Sequence, residues 1–272
     1  MNEKPTAKEN ILTLILRYKH LNRILAVMGA AAVLILAAVI IAVIANGLPR
    51  DALPTNAVYD DGGKLTGILG EPTVCIDPGH GYDDPGADSD LLGDDTAERE
   101  INLDVALRVR DILTSYNIKV VMTHDTNVPN DSLPQNGDGK YVIDPVWRAD
   151  FANELSPDMF VSLHCDSFPS DSSVSGTRIY YMSSAAGGKE AARISSLCAG
   201  EIGRAFTCEV KQRNMTASEA YYVIKHITAP SVLIEMGFIT NETDAGNMLS
   251  ESWRQKMAEA IAAGIVNSLL KY

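Results

Sequence analysis

The chain has 272 residues, enough for one sizeable domain or for one domain with an appendage. Its 35 acidic side chains outnumber its 23 lysines and arginines, which gives a formal net charge of -12. Because nucleic-acid binding depends on positive protein surface, this balance argues against a nucleic acid as partner.

The first feature along the chain is an apolar, uncharged segment, residues 24–46, preceded by a basic segment, residues 1–23. As a helix, the 22 residues from Ile24 to Ala45 would extend about 33 Å, close to the roughly 30 Å hydrocarbon core of a bilayer. A cleaved signal peptide is the alternative, although its apolar region is usually about 7–15 residues long. We predict a single transmembrane helix at 24–46, with a cytoplasmic N-terminus and everything after Gly47 outside the cell membrane.

The exported part divides into a linker and an α/β domain. Residues 47–72 are rich in Pro, Gly, Asp and Asn and show no sustained period, which predicts a linker. Over residues 73–272, apolar runs of strand length alternate with helical patterns, so we expect a sheet covered by helices. Strands are predicted at 73–77, 118–123, 159–164, 178–182 and 231–235, and helices at 98–113, 144–155, 189–206 and from 253 onward.

Three predicted strands end in residues that suit a core poorly: His80, His164 and Glu235. Sites in α/β proteins gather beyond the carboxyl ends of strands, so these side chains would converge, together with Glu98 from the following helix. Two imidazoles and one carboxylate are the ligand set of a catalytic zinc site, and a second carboxylate can move protons. Taken singly, His80 also fits a turn, Glu98 a helix dipole and His164 a core position. Glu235, a charge inside the run SVLIEMGF, is the hardest to explain without a site.

The four cysteines form no CxxC pair. Cys75 and Cys165 lie in apolar runs and are expected to be small core residues. Whether Cys198 and Cys208 form a disulfide is left open by the sequence.

Seven segments occur in an order that resembles the type 3 N-acetylmuramoyl-L-alanine amidases, zinc enzymes that trim peptidoglycan. They are VCIDPGHGYDDPGA, EREINLDVALRVRDIL, NIKVVMTHDT, RADFAN, MFVSLHCDS, GTRIYYM and PSVLIEMGFITN, and they extend over about residues 73–270. The resemblance implies a mostly parallel twisted sheet flanked by helices, with His80, Glu98 and His164 as ligands of one Zn²⁺ and Glu235 as the catalytic glutamate.

The implied reaction is hydrolysis of the amide between N-acetylmuramic acid and L-alanine in peptidoglycan. Asp77 and Asp84 are candidates for orienting the ligand imidazoles, or they cap the turn. Arg148 and Asn153, in RADFAN, are candidates for supporting the ligands or positioning substrate. Two rival readings remain: a zinc peptidase acting on stem peptides, and a non-catalytic wall-binding regulator.

The chain departs from the family pattern at several positions outside the four site residues. Tyr82 stands where a second glycine is usual, His124 where an arginine is usual, and Arg178 where a glutamate is common. The stretch 127–146 is longer than usual and is expected to shape substrate access.

Overall fold

Six strands form one mixed sheet with helices on both faces. The computed structural model describes residues 57–59, 65–68, 70–94, 96–129, 133, 135–206 and 212–271. The strands are β1 (Ala57–Tyr59), β2 (Leu65–Ile68), β3 (Thr73–Pro78), β4 (Lys119–Met122), β5 (Met159–Asp166), β6 (Thr177–Met182), β7 (Gln212–Ser218) and β8 (Ser231–Phe238). The helices are α1 (Glu98–Thr114), α2 (Pro145–Leu155), α3 (Ser184–Ala205), α4 (Tyr222–His226), α5 (Glu242–Leu249) and α6 (Glu251–Leu269), with a 3-10 turn at Asp90–Leu92.

The strand order of this sheet is β4-β3-β5-β8-β6-β7. All neighbouring strands run parallel except β6 and β8, which pair antiparallel. The α/β class and the sheet flanked by helices are therefore confirmed. Because β3, β5 and β8 are adjacent and parallel, their carboxyl ends meet at one edge of the sheet.

Side chains of the central strands alternate between two apolar layers. On β5, Val161 and Leu163 face the larger layer, which includes residues of α1, α3 and α6. Phe160 faces the smaller layer, which includes residues of α2 and α4. Both faces of the sheet are thus buried, which explains why these strands read as continuous apolar runs. His164 shares the parity of Phe160 and so lies on the α2 and α4 side.

Helix α1 forms because its apolar residues recur at helical spacing. Ile101, Val105, Val109 and Leu113 are all buried against the sheet. Each such side chain contributes on the order of 1.5–3 kcal/mol when fully buried. Asn102 interrupts this apolar stripe yet is completely buried, which indicates that its amide group makes hydrogen bonds inside the fold.

Part of the predicted linker is ordered. Strands β1 and β2 form an antiparallel hairpin separate from the main sheet. Ile68 is buried in the larger apolar layer, and its amide donates to the carbonyl of Tyr116. Residues 57–59 and 65–68 thus form strands, and Ile68 packs in the core of the domain, which differs from the irregular linker predicted for 47–72. The apolar residues here are too few and too widely spaced to give a strand pattern.

Within the part of the chain that the structure describes, no helix is long and apolar enough to cross a bilayer. The predicted anchor, 24–46, and the basic segment, 1–23, lie outside the described residues. Cys75, Cys165 and Cys198 are buried with free thiols, and Cys208 also lies outside the described residues.

Candidate metal and catalytic site

His80, Glu98 and His164 come together at the carboxyl edge of the sheet. Their ligand atoms all lie within 4.8 Å of one another. His80 Nε2 is 3.3 Å and His164 Nδ1 is 3.2 Å from the same oxygen, Glu98 Oε1. Ligands at bond lengths of about 2.0–2.1 Å around a tetrahedral zinc would be about 3.3 Å apart. The donor set and its spacing therefore fit a zinc ion.

The Glu98 carboxylate is held mainly by main-chain donors. The amide of Ala87 donates to Oε2 at 2.8 Å, and the amide of Cys165 donates to Oε1 at 2.9 Å. Asn102, one turn further along α1, donates to Oε1 at 3.2 Å and to the carbonyl of Gly79 at 3.1 Å. Burial opposes ionisation, but hydrogen bonds and charge from the two histidines outweigh it and hold the pKa of Glu98 well below its usual value.

His80 lies in a tight turn that aims its imidazole at Glu98. Its φ of 65° is in the left-handed region, which non-glycine residues seldom adopt. Asp84 Oδ2 lies 2.9 Å from His80 Nδ1, so Nε2 is the nitrogen that faces the cluster. Burial lowers the pKa of His80, but Asp84 and Glu98 outweigh it and raise the pKa to about 10. A cation at the cluster would replace that proton, since a ligating imidazole must be neutral.

Two glycines leave room for the ligands. A Cβ on Gly79 would lie 2.2 to 2.4 Å from atoms of the His164 ring. A Cβ on Gly86 would lie 2.6 Å from Glu98 Oε2, and the φ of Gly86 is +78°. Both positions therefore require glycine for the cluster to form as it stands.

Asp77 and Arg148 form a buried ion pair beneath the His80 turn. Arg148 Nη1 donates to Asp77 Oδ1 at 2.5 Å and to the carbonyl of Pro78 at 2.7 Å, and Nη2 donates to the carbonyl of His80. Thr123 and Ser162 hydroxyls each donate to Asp77 at 2.7 Å. Burial opposes ionisation of Asp77, but Arg148 and these hydroxyls outweigh it and lower its pKa. The pair fixes the turn from which His80 projects.

Glu235 lies beside the cluster on the neighbouring strand. It is the register partner of His164 between β5 and β8, so both side chains project from the same face. Its side chain is buried, and among the described residues its Oε2 has no hydrogen-bond partner. Burial, reinforced by Asp166 and Glu98, raises the pKa of Glu235 to about 7. A carboxyl group that gains or loses its proton near neutral pH is suited to proton transfer.

The four residues predicted to support the site lie in different surroundings. Asp84 contacts a ligand imidazole, whereas Asp77 contacts Arg148, Thr123 and Ser162 instead. Asn153 is not part of the cluster: its side chain bonds to His226 and Thr228, tying α2 to the segment after α4. Asn153 faces this segment because it lies near the C-terminal end of α2, more than a turn beyond Arg148.

Sequence reasoning missed Asn102 and the amide of Cys165. The signal for Asn102 was available, because an asparagine four residues after Glu98 shares its helix face. Nothing in the sequence identifies the backbone amides. His124 is not in the cluster; its ring lies 5.4 Å from that of Tyr82, which is buried.

A cavity of about 140 Å³ opens beside the cluster on the α2 and α4 side. Its polar walls are formed by His80, Asp84, Arg148, His164, Tyr221 and Tyr222. Its apolar walls are Ile143, Pro145, Val223 and Leu233. Ile143 and Pro145 both belong to the end of the long stretch 127–146, so this part of the chain borders the cavity.

Fold and site together define a class: an α/β domain with a candidate hydrolytic metal centre at the carboxyl edge of its sheet. The sequence model of the family described as N-acetylmuramoyl-L-alanine amidase, Amidase_3, matches residues 74–267. The chain therefore belongs to the N-acetylmuramoyl-L-alanine amidase family, as the ordered segments implied.

Two curated relatives and one solved structure illustrate the similarity. N-acetylmuramoyl-L-alanine amidase LytC of Bacillus subtilis is 34% identical over 203 residues, covering 74% of this chain and 36% of LytC. The germination-specific N-acetylmuramoyl-L-alanine amidase of the same organism is 29% identical, covering 71% of this chain and 78% of the relative. The CwlD amidase of Clostridioides difficile, solved in complex with the GerS lipoprotein, aligns with a TM-score of 0.61 at 27% identity, covering 73% of this chain and 98% of that one. This chain thus spans about a third of LytC but most of the other two.

Proposed function

We propose that this chain is a zinc-dependent N-acetylmuramoyl-L-alanine amidase that cleaves the amide between the lactyl group of N-acetylmuramic acid and the L-alanine of the peptidoglycan stem peptide. The observation that carries the proposal is the buried carboxyl of Glu235 beside the cluster of His80, Glu98 and His164. Family membership names the substrate class, and the cluster supplies the chemistry.

His80, Glu98 and His164 would hold the ion. When bound, zinc lowers the pKa of a water molecule toward about 7 and polarises the substrate carbonyl. Glu235 would accept the proton of the attacking water and return it to the leaving amine nitrogen of L-alanine. Burial raises the pKa of this carboxyl, which suits a group that must gain and then lose a proton near neutral pH. Asp84 keeps His80 Nε2 directed at the ion.

The decisive experiment is digestion of defined muropeptides by the metal-loaded domain, with and without a chelator, followed by mass spectrometry. We expect glycan with free lactyl ends and intact peptides beginning with L-alanine, and no cleavage after chelation. Trimmed stem peptides would instead indicate a zinc peptidase. A domain that binds peptidoglycan without zinc and without turnover would indicate a non-catalytic regulator.

The proton-transfer role is tested by Glu235→Gln. We expect zinc content to be retained and kcat to fall by about 10²- to 10⁴-fold, the usual contribution of general acid–base catalysis. Glu154→Gln, at an exposed position on α2, is the matched control and should cleave like the wild type. Turnover of Glu235→Gln close to that of the wild type would refute the role.

We also propose that the catalytic domain acts outside the cell membrane, anchored through residues 24–46. The support is the length and apolarity of this segment together with its basic N-terminal flank. Protease added to intact spheroplasts should digest the domain, and full protection of the domain would contradict the proposed orientation.

A further inference from the structure

The cavity beside the cluster contains side-chain donors that the proposed mechanism does not use. Among the described residues that line it, the groups able to donate a hydrogen bond from a side chain are the two histidines, Arg148, Tyr221 and Tyr222. The histidines face Glu98 as candidate ligands. Amide hydrolysis places negative charge on the former carbonyl oxygen, and a fixed donor there accelerates the reaction. A side chain in this role must be able to direct a hydrogen-bond donor at that oxygen.

Arg148 is already committed. Its guanidinium donates to Asp77, to the carbonyls of Ile143 and Pro78, and to the carbonyl of His80. Turning it toward a substrate would leave the buried carboxylate of Asp77 without its cation, which is strongly unfavourable.

Tyr222 packs against a neighbouring ring of its own helix. Its ring stacks on that of His226 one turn later in α4, with ring centroids 4.1 Å apart and planes inclined by 24°. The residue is 40% exposed, so a substrate contact from it would lie at the mouth of the cavity.

Tyr221 remains, and it lines the same cavity as His80 and His164. It immediately precedes α4 and is half-buried, with its ring 4.7 Å from that of Tyr180 on β6. Tyr180 pairs with Leu233 on β8, two residues before Glu235, so Tyr221 lies over the strand that bears the proton carrier. Burial, the nearby Glu235 and a hydrogen bond with Tyr180 raise the pKa of the Tyr221 phenol. The phenol therefore keeps its proton throughout the neutral range, and, unlike Arg148, it would leave no buried charge unpaired if it turned from Tyr180 to a substrate.

We propose that the Tyr221 hydroxyl donates a hydrogen bond to the scissile carbonyl oxygen as that oxygen becomes negatively charged. This inference rests on the proposed amidase function. The water oxygen bonds to the carbonyl carbon, the C=O electron pair moves onto oxygen, and the water proton goes to Glu235. The C–N bond then breaks as that proton passes to nitrogen. Tyr221 exchanges no proton; it stabilises the charged oxygen and releases it when the carbonyl reforms.

The test compares Tyr221→Phe with Tyr116→Phe, which also removes one hydroxyl, but from a residue that packs against the larger apolar layer and does not line the cavity. For Tyr221→Phe we expect kcat to fall about 10²-fold with KM changed less than threefold, since only the transition state loses a contact. A phosphinate that mimics the tetrahedral intermediate should bind Tyr221→Phe at least tenfold more weakly than it binds the wild type. The affinity of the product peptide should be the same for both. Tyr116→Phe should match the wild type within threefold in all these measurements.

Several outcomes would overturn the assignment of Tyr221. These are a kcat within twofold of the wild type, a rise in KM alone, equal losses in both variants, or loss of zinc or of thermal stability in Tyr221→Phe. Failure of the wild type to release lactyl-ended glycan would instead reject the proposed function, and this inference with it. Active wild type with a fully active Tyr221→Phe rejects the inference alone.

Discussion

The most direct test of the site's geometry is the variant Gly79→Ala, which adds one methyl group between the end of β3 and the His164 ring. The new Cβ would lie 2.2 Å from Cε1 and 2.4 Å from both ring nitrogens of His164. The backbone at Gly79 has little freedom to yield. Its amide donates to the carbonyl of Leu163 at 2.7 Å, and its carbonyl accepts from Asn102 at 3.1 Å. The imidazole must therefore move.

The size of the required movement follows from these distances. Ordinary carbon contacts begin near about 3.5 Å, so the His164 ring must shift by on the order of 1 Å. A displacement of that size takes the nitrogen out of bonding range of an ion held by His80 and Glu98. We expect zinc affinity to fall by at least tenfold and kcat/KM by about 10²-fold.

Zinc affinity is measured by competition with a chromophoric chelator, and kcat/KM by release of peptide from a defined muropeptide. Gly246→Ala in α5 is the matched control, because nothing beyond the backbone of its own helix and its chain neighbours lies within 4 Å of the added Cβ. That variant should keep zinc and activity, and it should gain about 0.5–1 kcal/mol in free energy of unfolding. Retention of zinc affinity and turnover within twofold in Gly79→Ala would refute the reasoning about this contact.

Two further predictions concern residues around the site. Arg148→Met leaves Asp77 buried without its cation, so we expect the free energy of unfolding in urea to fall by about 3–5 kcal/mol. Adding Asp77→Asn to the same chain should restore part of the loss, and a loss below about 1 kcal/mol in Arg148→Met would contradict this. Burial and, to a lesser extent, Arg148 lower the pKa of His124 to about 4. In the unfolded chain this ring takes up a proton below about pH 6.5, so the free energy of unfolding falls as the pH drops from about 6.5 toward 4. The metal-free wild type should thus lose up to about 3 kcal/mol more than His124→Asn over that range, and parallel urea midpoints from pH 7.5 to 4.5 would show that His124 does not titrate in this way.

The four central site residues were predictable because of where they stand in their elements. His80 and His164 follow apolar strands, and Glu98 begins a helix with a clear apolar stripe. Glu235 interrupts an apolar run. Adjacent parallel strands bring such positions to one edge, so pattern and topology predict that the four side chains converge, whereas their roles as ligands and proton carrier were implied by the family resemblance.

The remaining parts depend on features that carry no local pattern. Strand β7 reads QRNMTAS, without apolar alternation, and α4 has only five residues, too few to show a helical period. The antiparallel direction of β6 depends on the connection before it rather than on its composition. The contacts of Arg148 with three carbonyls need the folded turn to exist, so the sequence could name the residue but not its partners.

The way Glu98 is held has a consequence for how this site tolerates change. Two of its hydrogen bonds come from the amides of residues 87 and 165, which every amino acid except proline provides. Side chains at these two positions can therefore vary with packing or solubility while the orientation of the carboxylate is preserved. Drift in sequence at residues 87 and 165 thus says little about loss of activity, whereas a proline at either position would remove a donor.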